Sequence, residues 1–357
     1  MEQLAKRAFI VSLVVGGTIV AALALWQLKL ILALIFLGVI VAAAMRPGVE
    51  ALARARVPRG AGVLLHYAVL ALLLVALLWA VVPRALDQVQ SAVGDLPQTR
   101  SEIHEAANQS SGIKQRFLRG LENRLERVPT PRDIVGKSAE ITLKAFEVLV
   151  GIFFVLATGA YWTFERERAQ RLVCRFLPHD HARTVRDTWE LIDLKLGAYV
   201  RGQMLLIVFV ASVLSLIFWA IGEPFWLLIG VFAGVVEIVP VIGPLAAGAL
   251  AVGVGFTESW HVGVAAGIAV LAVRLLEDYV VIPRVLGEAV GLSPLLVLIS
   301  VSATALIFGE FAVLLAIPLA AVLATLVDVV VLDKDPAEED VPTVIFAAKD
   351  LESDARR

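Results

Sequence analysis

Residues 225–256, FWLLIGVFAGVVEIVPVIGPLAAGALAVGVGF, are apolar enough to enter a bilayer, yet Glu237, Pro240, Gly243 and Pro244 interrupt them. A carboxylate and two helix breakers are costly in hydrocarbon. Broken backbone at membrane depth survives only where protein or a water-filled cavity receives its freed polar groups. An ionisable side chain there marks a functional site by default. Secondary transporters use discontinuous helices of this kind to bind substrate and ions near the membrane midplane. The stretch therefore predicts a transporter built around an unwound, acidic elbow.

Composition narrows the class. The chain of 357 residues is 59% hydrophobic and 18% charged, whereas a soluble protein is about half apolar and about a quarter charged. A formal net charge of −2 offers no basic surplus for nucleic acid. Cys174 is the single cysteine, so no intrachain disulfide can form. Lys6 and Arg7 precede an apolar run that begins at Ala8. That run is long for a signal peptide and a second follows at once, so a retained first span is expected.

A spanning helix needs about 20 mostly apolar residues. Residues 8–26, 28–45, 61–82, 142–163, 204–221 and 261–282 qualify, and two longer blocks, 225–256 and 291–331, are each broken. The expected fold is all-α: a polytopic membrane protein with about eight transmembrane segments, including two broken or re-entrant helical hairpins. The first arms, 225–239 and 294–308, would be roughly 22 Å long, short of the ~30 Å hydrocarbon core. Re-entrant hairpins fit that length, and tilted full spans remain open. Gly222-Glu-Pro224 leads into the first block and Gly291-Leu-Ser-Pro294 into the second, the pattern of an inverted repeat.

The loop 46–59 carries Arg46, Arg54, Arg56 and Arg59 against one Glu50, which places it in the cytoplasm. Counting spans from there puts both termini inside. The expected order is N-terminal transmembrane helices (1–83), an extracytoplasmic helical insertion (84–140), a transmembrane helix (141–163), a cytoplasmic amphipathic linker (164–203), a transmembrane core with two broken hairpins (204–332) and a disordered cytoplasmic tail (333–357). Ile113, Phe117, Leu121, Leu125 and Val128 share one helical face in the insertion, as do Val185, Trp189, Ile192, Leu196 and Tyr199 in the linker.

Several side chains could carry chemistry. If the helix stops near Val239, its last carbonyls lose their partners. With Glu237 they would make a cation or proton site, unless that carboxylate only holds the break in shape. Arg274, Glu277 and Asp278 have spacings of three and four, so both acids reach the guanidinium from one helix face. Gly309-Glu310 marks the second break, where Glu310 is either a second carboxylate or a helix cap. Arg201 and Gln203, entering the span 204–221, and Pro318 are gating or interface positions. Arg201 could equally snorkel to the interface. His179 and His181 flank Asp180, a poor metal set, and no metal site or cofactor is expected. No H-E-x-x-H, P-loop or G-x-S-x-G occurs, so neither an enzyme nor ATP-driven transport within this chain is expected.

In order along the chain stand Met45-Arg46-Pro47, Val57-Pro58-Arg59, Tyr199-Val-Arg201-Gly202-Gln203, Glu237-Ile-Val-Pro240-Val-Ile-Gly243-Pro244, Glu277-Asp278-Tyr-Val-Val-Ile-Pro283, Gly291-Leu-Ser-Pro294, Phe308-Gly309 and Ile317-Pro318. Together they resemble the AI-2E family, the autoinducer-2 exporter-like permeases, over nearly the whole chain. Asp278 departs from the Glu-Asn that family members often carry, which puts its pairing with Arg274 in question. The resemblance implies a permease of about eight spans, a homo-oligomer with a pentamer among the forms allowed, and export of a small polar signal or cation/proton antiport. The expected function is secondary transport of a small polar solute such as autoinducer-2 across the bacterial inner membrane, driven by an ion gradient. A monovalent cation/proton antiporter and a membrane scaffold without transport are the alternatives. Expected partners are the lipid bilayer and a small polar solute or H+/Na+, with no nucleic acid.

Overall fold

The computed structural model describes residues 2–93, 131–239, 242–285, 293–339 and 341, and among these there is no strand. Eleven α-helices follow in order: α1 (Glu2–Gln27), α2 (Lys29–Arg54), α3 (Arg59–Val93), α4 (Pro131–Arg175), α5 (His179–Ala220), α6 (Trp226–Val236), α7 (Ile242–Glu258), α8 (Trp260–Leu276), α9 (Ile282–Val285), α10 (Pro294–Phe308) and α11 (Ala316–Val330). A π-helical turn, Glu277–Val281, joins α8 to α9, and a 3-10 turn, Glu310–Leu315, opens α11.

Among the described residues, five helical stretches are long and apolar enough to cross a membrane: Lys29–Arg54, Arg59–Gln88, Phe146–Arg175, His181–Ala220 and Ala312–Val330. Shorter apolar helices, Trp226–Val236, Ile242–Glu258 and Leu295–Phe308 among them, make up the rest. Large apolar side chains such as Leu72, Trp79, Phe153 and Ile268 point outward. An apolar surface this extensive has no place in a soluble monomer but suits contact with lipid. The chain is a multi-pass, all-helical membrane protein.

Three expected boundaries are not breaks in the backbone. α2 continues through Pro47 to Arg54, where a loop from residue 46 was expected. Pro47 lacks an N–H, which frees the carbonyl one turn back, at Ala43. Beside it, the Arg201 guanidinium donates to the Ala44 carbonyl at 3.2 Å. Arg201 thus ties α5 to α2 rather than snorkelling. α4 runs past residue 163 through the charge run Glu165-Arg166-Glu167-Arg168. Those residues favour helix, and Arg168–Glu165 and Arg171–Glu167 pair at 3.6 Å along its surface. α5 is one rod of 42 residues across position 203. A change from polar to apolar sequence alters what a helix packs against, not whether its backbone continues. The face Ile113 to Val128 and the tail beyond Val341 lie outside the described residues.

The core is built from small residues. Val210, Leu214 and Phe218 of α5 meet Ile229 and Ala233 of α6, Ala247 and Ala251 of α7, and Ala266, Ala269 and Val273 of α8. Alanine and glycine let backbones approach closely, which drives helix association where lipid is as apolar as the side chains. The first half of α5 packs on the bundle. Its Trp189 stacks on Trp162 of α4 with ring centroids 5.9 Å apart, and Leu196 is buried with Ile40 and Ala43 of α2.

An ion lattice ties the same half of α5 to α2 and α4. Arg46 pairs with Glu50 at 2.6 Å and with Glu190 at 2.5 Å. Arg166 pairs with Glu190 at 2.6 Å and with buried Asp193. Nearby, buried Lys195 donates to Thr325 Oγ1 at 3.1 Å and pairs with Glu339 at 2.6 Å. Val341 packs by Ala198. The start of the acidic tail therefore docks on α5, supplying the countercharge that a buried ammonium needs.

α8 begins behind Ser259, whose hydroxyl accepts from the Val262 N–H at 3.3 Å. Ser259→Ala removes that cap and is expected to destabilise the protein by about 1 kcal/mol. The check is the midpoint of thermal unfolding in detergent, and an unmoved midpoint would mean the cap contributes nothing.

Candidate ion site at a broken helix

α6 ends because its hydrogen-bond ladder runs out ahead of residue 240. Glu237 N–H still donates to the Ala233 carbonyl at 3.2 Å, but Ile238 and Val239 reach back only three residues, to Val235 and Val236. Such tightening closes a helix C-terminus. Pro240 itself lies outside the described residues. α7 then starts at Ile242, with Gly243 and Pro244 in its first turn, where a proline costs little. Gly243 is buried, and a Cβ there would overlap the Val236 carbonyl.

The two arms are antiparallel. Glu223, just before α6, lies against Gly255, near the far end of α7. The elbow sits beside α5, because Gln203 Nε2 donates to the Glu237 carbonyl at 3.2 Å. That bond satisfies one of the carbonyls orphaned at the end of α6. It also fixes the depth. Gln203 immediately precedes the apolar run 204–221, so the elbow stands at one end of that run, not at its midpoint.

Arg274, late in α8, reaches the elbow. Its Nη1 donates to Glu237 Oε1 at 3.0 Å and to Glu277 Oε2 at 3.4 Å. Its other face grips Asp278 in a two-pronged contact, Nη2 to Oδ1 at 2.9 Å and Nε to Oδ2 at 3.1 Å. Fork-on-carboxylate pairs of this kind are the stronger ones. The aspartate that departs from the family pattern is thus a full partner of the arginine. Glu237 is 8% exposed and Glu277 2%. Glu277 Oε1 has no hydrogen-bond partner. One guanidinium shared by three carboxylates leaves an acidic excess, with Glu237 and Glu277 buried while Arg274 and Asp278 remain 32% and 41% exposed. Such a cluster can take up a proton or a small cation.

The π-helical turn Glu277–Val281 aims these groups. Glu277 is buried there and Asp278 exposed. Single π turns recur at functional sites. Nothing in the letters EDYVV signals one.

The second break is built differently and elsewhere. Ser293 caps α10 by accepting from the Leu296 N–H at 3.3 Å. The helix ends at Gly309, whose φ of 95° suits glycine. Glu310 opens the 3-10 turn, and Pro318 is buried in the first turn of α11. Lys29 Nζ donates to the Ile307 carbonyl at 3.3 Å, capping α10 from the start of α2. The structure therefore gathers Gln203, Glu237, Arg274, Glu277 and Asp278 around one elbow with Gly243 and Pro244. It sets Gly309 and Pro318 in a separate block on α2 and α5.

The family model described as AI-2E family transporter matches residues 16–332, which hold both breaks and the arginine cluster. The chain belongs to the AI-2E transporter family. Two Bacillus subtilis (strain 168) proteins are similar to it. YueF is 26% identical over 285 residues, covering 75% of each chain. YrrI is 27% identical over 132 residues, covering 37% of each. Both are named, provisionally, as transport proteins, with no cargo given. This AI-2E chain is accordingly a membrane transporter by family.

Proposed function

We propose that the chain is a secondary transporter of the inner membrane, with both termini cytoplasmic, and that its broken-helix cluster binds the coupling ion. The observation that carries this reading is the shared guanidinium of Arg274, which meets Glu237, Glu277 and Asp278 at once. A proton or small cation entering the cluster would replace Arg274 on one carboxylate and let the elbow shift against α5. The hairpin α6–α7, with arms of 11 and 17 residues, then crosses the same depth as the apolar run of α5 beside it and turns at the level of Gln203. The cargo on this reading is a small polar solute such as autoinducer-2.

Monovalent cation/proton antiport is the second reading, and the surplus of acid over base in the cluster favours it. The cavity of about 710 Å³ lies among Phe36, Trp162, Trp189, Leu196 and Leu326. His181, Thr188, Asp193 and Asp333 add polar groups to those apolar walls, so the cavity favours neither cargo.

The test is transport in proteoliposomes by wild type and Glu237→Gln. A loss of at least about tenfold, equivalent to about 1.4 kcal/mol, is expected, with an unchanged gel-filtration profile. Labelled autoinducer-2 and pulses of Na+ or K+ against a pH-sensitive dye separate the two cargoes. Equal rates with an unaltered pH dependence would remove Glu237 from the mechanism.

A further inference from the structure

Glu223 lies in the turn between α5 and α6, at the opposite end of α6 from Glu237. It is 2% exposed, and neither carboxyl oxygen has a hydrogen-bond partner. Its place is made by two glycines. A methyl group on Gly255 would stand 2.8 Å from Glu223 Oε2 and 2.8 Å from the Gly263 Cα. The close crossing of α7 and α8 at these glycines leaves room for the carboxyl group and little else. The turn is firmly held, with Glu223 N–H donating to the Phe218 carbonyl at 2.9 Å and Gly222 in a left-handed conformation.

No basic side chain serves it. From residue 202 to residue 273 the chain contains no lysine or arginine. The ionisable groups on the neighbouring helix ends are Glu258 of α7 and His261 of α8, both exposed. α3, which also packs on α6, carries exposed Arg84 and Asp87 near its end. None of these bonds the Glu223 carboxyl. Hydroxyls close by in sequence are committed, Thr257 to the Val254 carbonyl and Ser259 to the Val262 N–H. A bare carboxylate cannot be kept in such a place. Burial of an isolated charge is so unfavourable that the group is neutralised instead.

We propose that Glu223 takes up a proton, forming a second ion site at the far end of α6 from the elbow. α6, 11 residues and roughly 16 Å long, then has an ion-binding carboxylate beyond each of its ends. The chemistry asks for no other ligand at Glu223, since a neutral acid needs no countercharge. The site stands apart from the cargo assignment, because its readout is the state of one carboxyl group and not transport.

The test is an infrared difference spectrum of the purified protein at neutral pH, wild type minus Glu223→Gln. A protonated-carboxyl C=O band that shifts in deuterium oxide is expected, and its survival in sodium chloride identifies H+ as the occupant. A band lost in sodium chloride but kept in choline chloride would mean that a metal cation displaces the proton, and it overturns the proposal. A difference spectrum with only carboxylate bands, in choline as in sodium, overturns the proposal. Glutamine matches the shape of the neutral acid, so the variant is expected to fold. Should it not, carbodiimide labelling of the wild type, mapped by mass spectrometry, gives the answer without a substitution. Several-fold more modification at Glu223 than at exposed Glu258 is expected, and equal or lower modification at Glu223 counts against it.

Discussion

Arg274→Met is expected to destabilise the protein by about 3 kcal/mol, the low end for removing one partner of a buried ion pair. The low end applies because the Arg274 side chain is itself 32% exposed, whereas Glu237 and Glu277 are nearly enclosed. Removing the guanidinium leaves three carboxylates facing one another with no cation. Methionine keeps most of the stem's volume, so the loss reads charge rather than packing. The measurement is thermal unfolding in detergent, by tryptophan fluorescence. Arg274→Met combined with Glu277→Gln should recover part of the loss, because residues sharing one ion network are not additive. A single variant as stable as wild type would show that the carboxylates do not depend on Arg274.

Gly234→Leu is expected to be nearly as damaging. A Cβ at Gly234 would lie 2.5 Å from the Ile207 carbonyl and 2.6 Å from the Ala211 Cβ. Both neighbours belong to the rigid rod α5, so α6 must move away. Overpacking of this kind costs about 1–3 kcal/mol, occasionally more. The displacement is carried three residues on to Glu237, so the Gln203 and Arg274 contacts are lost with it. The prediction is a lower unfolding midpoint together with loss of transport. Gly253→Leu, at a position with nothing near its Cβ, should change neither. Equal behaviour of the two variants would mean that α6 is not seated against α5 as described.

The sequence made the membrane class and the elbow legible for physical reasons. Long apolar runs suit a bilayer, and Glu237, Pro240, Gly243 and Pro244 close together in one mark a break, whereas the lone Pro47 of α2 does not. The triad Arg274, Glu277 and Asp278 was readable because side chains three and four residues apart on a helix must meet. The contribution of Glu237 to it was not, since nothing local says that α8 returns to the level of the elbow. The ion lattice of Arg46, Arg166, Glu190 and Asp193 escaped notice for the same reason. Its members are spread over three helices, and each looks like an ordinary surface charge on its own. Glu223 read as part of a turn, and only its burial between two glycine-rich helices distinguishes it. The separation of the two breaks was hidden because internal similarity reports common shape and not common location.

α5 belongs to both ends of this machinery. Gln203 grips the elbow, while Glu190 and Asp193, about three to four turns earlier on the same shaft, are locked to Arg46 and Arg166. A continuous helix transmits tilt along its length and cannot absorb it at a joint it lacks. Whatever motion frees the carbonyl of Glu237 must therefore pull on the arginine clamps below, so the two regions behave as a single lever with one pivot rather than as independent latches.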